Sequence, residues 1–367
     1  MKIERAVLRE VPLELIQPFQ SSTGSVTHRR VLVLTLDAEG LEGWSECVAP
    51  AEPTYTYETT DTAWHVLTEM ILPRAVGVDV SDPAHALPAA ADIRGHPMAK
   101  AAVEMGVWDL AARARGVSLA EMLGGSRSHV PVGVALGMMA TVEELGDEIA
   151  RHLEAGYRRV KLKIDRGRDV DVLTAVRERF PSLALWADAN SAYTLGDVAL
   201  LQELDPLDLE MIEEPLAPGA FLDCARLQER IATPICLDES IVSESDAALA
   251  VELGSCRVVN LKPGRVGGLE ASRRILDRLT AAGVSVWCGG MLESGIGRAH
   301  NLALASLPGF TLPGDISAGR RYWERDIVAP EFEVVAGEMA VPTDPGIGVQ
   351  VDVERIEVLT VRSAEFG

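Results

Sequence analysis

Five polar residues recur through the middle of the chain at nearly constant intervals. Lys163, Asp188, Glu213 and Asp238 stand 25 residues apart, and Lys262 follows after 24. Each lies at the end of a short apolar run, at 160–164, 183–187, 209–212, 235–237 and 258–261. Helix-like segments separate the runs, at 169–179, 195–204, 223–230 and 243–253. A strand and a helix repeated at this period build a parallel sheet. In a closed parallel sheet the C-terminal strand ends converge on one face. Three carboxylates and two amines, remote in sequence, are therefore predicted to meet at the mouth of a barrel. The pattern continues on both sides. A strand at 130–136 and a helix at 142–155 precede the ladder. A helix at 269–282, a strand at 285–288, a helix at 297–306 and a last short run at 310–312 follow it. Eight such runs favour closure over an open sheet.

The chain has 367 residues, more than the roughly 200–250 that a barrel needs, so a second domain is expected. Residues 1–125 read as α+β. Strands are predicted at 3–10, 30–37 and 43–46, then helices at 60–72, 83–91 and 99–115. Gly124-Gly125-Ser126 marks the boundary. The tail from 326 to 367 alternates like strands and is expected to return to the first domain, leaving 126–325 as the barrel. The fold expected is α/β: a TIM-like (β/α)7β barrel with an α+β capping domain formed by the N-terminal segment and the C-terminal tail. Two stretches of the first domain, 18–25 and 49–55, read as loops. Loops of this kind serve as lids or as plain exposed connections.

Composition narrows the partners. The net charge is −21, from 34 basic and 55 acidic residues. Nucleic acids and anionic membranes both require a basic footprint, so neither is expected as a partner. The five cysteines are scattered, with no CxxC pair. That argues against a disulfide framework and a zinc knuckle and fits a reducing cytoplasm. No secretory signal and no apolar run of transmembrane length is read in the chain.

The ladder then implies chemistry. Asp188, Glu213 and Asp238 packed together would repel one another, and some would be driven towards protonation. A divalent cation resolves the conflict. Carboxylates with water and substrate oxygens suit Mg²⁺, with Mn²⁺ as a substitute. The plain alternative, strand-end carboxylates of an acidic protein, explains one such residue better than three at equal spacing. Glu214 follows Glu213 and Glu239 follows Asp238. Alternation sends only one of each pair into the mouth, and periodicity leaves open which. Lys161 and Lys163 share a strand face. Burial beside a like charge lowers a lysine pKa, and a neutral amine there can act as a general base. Lys262 lies on the opposite side. Bases on both sides of a substrate, with a cation between them, point to removal of a proton from the carbon next to a carboxylate. An enediolate would form, its charge stabilised where it develops.

These residues resemble the enolase superfamily over essentially the whole chain. The motifs are Lys161-Leu162-Lys163, Asp188-Ala189-Asn190, Ile212-Glu213-Glu214-Pro215, Leu237-Asp238-Glu239-Ser240 and Lys262-Pro263-Gly264-Arg265-Val266-Gly267-Gly268. The lysine motifs are those of the muconate lactonising enzyme subgroup. Gly289-Gly290-Met291-Leu292-Glu293-Ser294, Pro313-Gly314-Asp315-Ile316-Ser317 and Arg321-Tyr322-Trp323 are similar to the o-succinylbenzoate synthase/N-acylamino acid racemase branch. The resemblance implies Asp188, Glu213 and Asp238 as metal ligands, with Glu239 behind them. It implies Lys163 and Lys262 as the two acid/base catalysts, Lys161 supporting the first. It also implies Phe19, Ser21, Asn190, Arg265, Gly290, Met291 and Asp315 as substrate-contacting or supporting residues. The 18–25 stretch becomes a lid, and the enzyme a cytoplasmic homo-oligomer, dimer or octamer, acting on a small carboxylate. Racemisation of N-acylamino acids would use both lysines. Syn dehydration to o-succinylbenzoate, a step of menaquinone biosynthesis, would use one.

One departure concerns the acyl arm. Ala135 stands where several relatives have a hydroxyl residue, which alters how that arm is held. Two other activities of the subgroup, dipeptide epimerisation and muconate-type cycloisomerisation, remain alternatives, as does a non-catalytic metabolite-binding barrel. Against epimerisation, Asp315 is followed by Ile316 and Ser317 rather than by the Asp-x-Asp such enzymes need. Against an acid-sugar dehydratase, Cys288-Gly289 stands where a histidine base is expected, with His300 in the next helix.

Overall fold

The structure, a computed structural model, describes residues 1–367 except 22–23 and 86–89 and the side chains of Gln20, Ser21 and His85. Seven strands form the barrel wall: Val134–Leu136, Arg159–Lys163, Ala184–Asp188, Met211–Glu213, Ile235–Leu237, Val258–Leu261 and Ser285–Cys288. They lie side by side in chain order, and each pairs in parallel with the next. Their residues are buried on both faces along most of their length, as parallel strands covered by helices are. The helices outside turn an apolar stripe inward. Val142–Glu154 buries Leu145 and Ile149 and starts at a capping box made by Thr141 and Glu144.

Closure differs from expectation. The run at 310–312 forms no strand. Instead an irregular segment crosses between the last strand and the first. On one side Thr311 N donates to Val286 O (2.9 Å) and Asp315 N to Cys288 O (3.0 Å). On the other, Gly133 N donates to Gly314 O (2.8 Å) and Gly314 N to Pro131 O (3.0 Å). Pro313 has no N–H to offer, so no continuous ladder can run through this segment. The predicted strand 130–136 also divides. His129–Pro131 pairs antiparallel with Glu338–Ala340 from the tail, and only Val134–Leu136 joins the barrel.

The N-terminal domain is an antiparallel sheet of Arg5–Ser21, Gly24–Ala38 and Leu41–Cys47, with the C-terminal strand Arg362–Phe366 on its edge. The described residues of the stretch 18–25 are therefore strand rather than loop: they lie towards the far end of two long paired strands, in which Phe19 pairs with Val26 and Ser21 with Gly24, past a register shift after Glu14. The first five residues of Gly24–Ala38 are exposed, so the hairpin's end carries no apolar alternation to announce it. Residues 22–23 and the Ser21 side chain lie outside the described residues. The predicted helix 83–91 is represented among the described residues by the short turn Pro83–His85. Helix Pro97–Arg115 is buried along most of its length and lies against the sheet. A Cβ on Gly43 would come 2.5 Å from Gly106 O, which shows how closely the two backbones approach.

Buried glutamates tie this cap to the barrel. Glu46 accepts from Ser294 N (3.2 Å) and Gly297 N (3.1 Å) and from Ser294 Oγ, at the start of helix Gly295–Ala305. Glu104 accepts from Leu269 N (2.8 Å) and Glu270 N (2.9 Å), at the start of helix Leu269–Ala281. Helix N-termini carry free amides and partial positive charge, so a carboxylate from another domain fits there. These two helices follow the strands next to Lys262 and Gly290, which sets the cap over the barrel mouth.

Candidate active site

The strand register sets the first three rungs side by side: Lys163 opposite Asp188, and Asp188 opposite Glu213. Lys163 Nζ donates to Asp188 Oδ2 (2.7 Å) and Asn190 Oδ1 (2.6 Å). Lys161 Nζ contacts Glu213 Oε2 at 2.6 Å, Asp315 Oδ2 at 2.8 Å and Asp188 Oδ2 at 3.2 Å. Asn190, in a left-handed conformation (φ 40°), donates from Nδ2 to Glu239 Oε1 (3.0 Å). On the other side Lys262 Nζ contacts Asp238 Oδ2 at 2.8 Å and Tyr55 OH at 3.0 Å. Arg265 donates to Asp238 Oδ1 and, at 2.9 Å, to Tyr55 OH.

The Glu213/Glu214 question resolves by contact. Glu213 faces Lys161 and accepts from Asn260 Nδ2 at 2.8 Å. Glu214 turns the other way and accepts from Asp238 N (2.6 Å), Ser240 N (3.3 Å) and Ser240 Oγ. It thereby fixes the turn that presents Asp238.

Lys161 contradicts the expectation of a lowered pKa. Burial pulls Lys161 down, but Asp315, Glu213 and Asp188 outweigh it and leave the ammonium strongly favoured. Burial likewise pulls Lys262 down, while Tyr55, Glu213 and Glu239 raise it further. The like charge of Lys163, two residues from Lys161, is outweighed by acids that come from other strands and from the closing segment. Among the acids, burial raises Asp188, yet Lys163 and Lys161 hold it well below the usual range. Burial and the charge of Asp188 raise Glu213. Burial, with Glu214 beside it, pushes Glu239 up to about 8.

A cavity of about 180 Å³ opens onto this cluster. It brings together Lys161, Lys163, Asp188, Asn190, Asp238, Lys262, Gly290, Met291, Asp315 and Phe19. Ala135 and Tyr55 also line it. Glu213, Glu239 and Arg265 do not line it. Arg265 is buried behind Asp238 and spends its other donors on Ile241 O and Asn260 O, so it supports the site from below. Ser21 cannot be placed, because its side chain lies outside the described residues. The sequence reading missed Tyr55, Asn260 and Arg159. Tyr55 sits in a cap loop with no pattern to mark it. Asn260 and Arg159 lie within apolar strands, and a polar residue there is itself a signal.

The donor set fits a hard divalent cation. Asp188, Glu213 and Asp238 offer carboxylate oxygens from adjacent strand ends, and Glu239 Oε2 is buried with no partner. Among the described residues no three acidic, histidine or cysteine side chains form a ready-made cage, and Lys161 Nζ lies against both Asp188 and Glu213.

Residues 144–356 match the enolase C-terminal domain-like family, and residues 3–124 match the N-terminal domain of the mandelate racemase/muconate lactonizing enzyme family. The chain belongs to the enolase superfamily. This superfamily member is 49% identical to an o-succinylbenzoate synthase from Geobacillus kaustophilus over 361 residues, 98% of this chain and 96% of the relative. It is 50% identical to an N-succinylamino acid racemase from Thermus thermophilus over 361 residues, 98% of each. A solved enolase-superfamily member from Listeria innocua superposes with TM-score 0.95 at 42% identity, covering 100% of this chain and 99% of the other. The enolase-superfamily barrel with its capping domain is thus shared, and the chain is an enzyme of that superfamily, whose members use a divalent metal. Among the described residues no helix is long and apolar enough to cross a membrane.

Proposed function

We propose that the protein removes the proton next to a substrate carboxylate and acts as an N-succinylamino acid racemase that also carries out the o-succinylbenzoate synthase dehydration. The observation that carries this reading is that Lys163 and Lys262, on the second and sixth of seven strands, enter one small cavity from opposite sides of Asp188 and Asp238. In racemisation one lysine accepts the α-proton, its ammonium being less favoured once the carboxylates around it are engaged by a cation, and the other ammonium returns a proton to the opposite face, inverting the carbon. In dehydration one lysine takes the proton and protonates the departing hydroxyl on the same face, releasing water. Asp188 and Asn190 aim Lys163, while Asp238 and Tyr55 aim Lys262. Asp188, Glu213 and Asp238 would hold Mg²⁺ or Mn²⁺, with Glu239 behind them. That cation would supply positive charge for the substrate carboxylate and for the charge developing on it.

Relatives of the two names above support this choice within the subgroup, and Asp315 argues against dipeptide epimerisation. Its two oxygens already pair with Arg159 and Lys161, and Ile316 and Ser317 follow it where an Asp-x-Asp would be needed for a peptide amine. The same proposal takes 126–325 as the catalytic barrel and 1–125, joined by 326–367, as the cap. The pairing of Arg362–Phe366 with the first strand supports that division.

The test is solvent exchange. The protein is incubated with Mg²⁺ and N-succinylamino acids in D₂O, the α-proton is followed by NMR, and o-succinylbenzoate formation is assayed in parallel. Loss of the α-proton signal with racemisation is the expected result. No exchange across a broad panel, with no o-succinylbenzoate formed, defeats the reading.

A further inference from the structure

Below the lysine pair lies a buried cation that the reaction does not use. Arg159 is two residues before Lys161 on the same strand, so both point into the barrel. It is 1% exposed. A buried guanidinium is costly unless its donors are met. Here Nη1 donates to Asp315 Oδ1 (2.5 Å), and Nη2 to Pro313 O (2.9 Å) and Gly314 O (2.8 Å), while the buried Nε has no hydrogen-bond partner. The guanidinium stacks on Trp186, 4.0 Å from the ring centroid. Room for it comes from Gly133, where a Cβ would lie 2.1 Å from Arg159 Nε. Three features of the chain thus accommodate one side chain.

What Arg159 holds is residues 313–315, the segment that closes the barrel without forming a strand. Backbone bonds to both flanking strands fix that segment at Gly314 and Asp315, and the fork of Arg159 adds the side-chain hold from inside the barrel. At its end Asp315 uses Oδ1 for Arg159 and Oδ2 for Lys161. Lys161 in turn touches Glu213 and Asp188, and Asp188 also holds Lys163. An ammonium has three donors, and here they meet three carboxylates. Without Asp315 the ammonium is free to crowd Asp188 and disturb its bond to Lys163. Lys262 makes its own contacts with Asp238 and Tyr55 and is outside this chain of contacts.

We propose that Arg159 and Asp315 are positioning residues that fix Lys161 and, through Asp188, the aim of Lys163, so that they serve one face of the substrate. The inference rests on the two-base reading above.

The experiment compares Asp315→Asn, Arg159→Met, Arg159→Lys and Gly133→Ala with the wild type. Racemisation kinetics and α-proton exchange in D₂O are measured from each enantiomer. The enantiomer whose exchange Lys163→Ala abolishes marks the Lys163 face. In Asp315→Asn, Arg159→Met and Gly133→Ala, kcat should fall about 100-fold while KM stays within about threefold. Exchange should be lost about 10-fold more from the Lys163 face than from the Lys262 face. Arg159→Lys should not restore it, since an ammonium cannot make the fork. Should Arg159→Met not fold, Asp315→Asn, close to the native shape, and Gly133→Ala, which changes no charge, carry the test. Equal loss on both faces, or a raised KM at unchanged kcat, overturns the proposal while the wild type exchanges normally. A wild type that exchanges no α-proton overturns the functional reading and this inference with it.

Discussion

Glu104 allows the competition between burial and helix amides to be measured. The carboxylate, on the cap helix Pro97–Arg115, accepts from Leu269 N, Glu270 N and Trp108 Nε1, at 2.8, 2.9 and 2.8 Å. Those bonds and the helix N-terminus favour the ionised form. Burial opposes them and wins, pushing the pKa up to about 7. The ordinary value is 4.5. Below it Glu104 is protonated in both the folded and unfolded chains and makes no pH-dependent difference. As the pH rises past it the unfolded chain ionises while the folded one resists, so stability is lost until the pH passes about 7. At roughly 1.4 kcal/mol per pH unit, the loss between about pH 5 and about pH 8 comes to about 2–3 kcal/mol. Glu104→Gln removes the titration. It also costs about 1–3 kcal/mol, because the amide group must face a backbone N–H. Denaturant unfolding of both proteins at fixed salt should therefore show the wild type's advantage shrinking by about 2–3 kcal/mol from pH 5 to pH 8. An advantage that is constant over that range would mean that the helix amides prevail over burial and hold the carboxylate in its ordinary range.

Lys163→Ala and Lys262→Ala should each abolish racemisation, while α-proton exchange from one enantiomer survives in each; normal racemisation by both would remove the two-base assignment. Asp238→Asn should raise the Mg²⁺ concentration needed for half-maximal activity, by about tenfold or more. An unchanged Mg²⁺ titration would take Asp238 out of the metal site.

The ladder was legible because buried parallel strands leave few polar residues, and those few mark the strand ends. Glu213, Asp238 and Lys262 could be placed by counting. What could not be counted was contact. The fall expected for the Lys161 pKa became a rise because Asp315, which surrounds it in space, is 154 residues away in sequence. The missing eighth strand follows from Pro313, whose effect on a ladder is local and readable. The hairpin at 18–25 was hidden because its exposed end is patterned like a loop. Arg159 had a signal that went unused: with Lys161 and Lys163 it occupies alternate positions of one strand, a third cation on the inner face.

The cap's contribution divides by burial. Its inner part is pinned by Glu46 and Glu104 to the helices that follow the Lys262 and Gly290 strands, and both carboxylates are buried. Lifting the whole cap would strip those helix amides of their partners as well as exposing apolar core, at a cost of several kcal/mol. The far end of the hairpin contributes Phe19 and Val26 to the cavity wall, yet its described residues from 24 to 28 are exposed. Displacing that end breaks a few solvent-exposed ladder bonds and little else. Displacing the hairpin's described end would therefore cost less than lifting the cap from the two helix N-termini. On that division, substitutions at Glu46 or Glu104 act on stability. Substitutions at Phe19 act on what the cavity accepts.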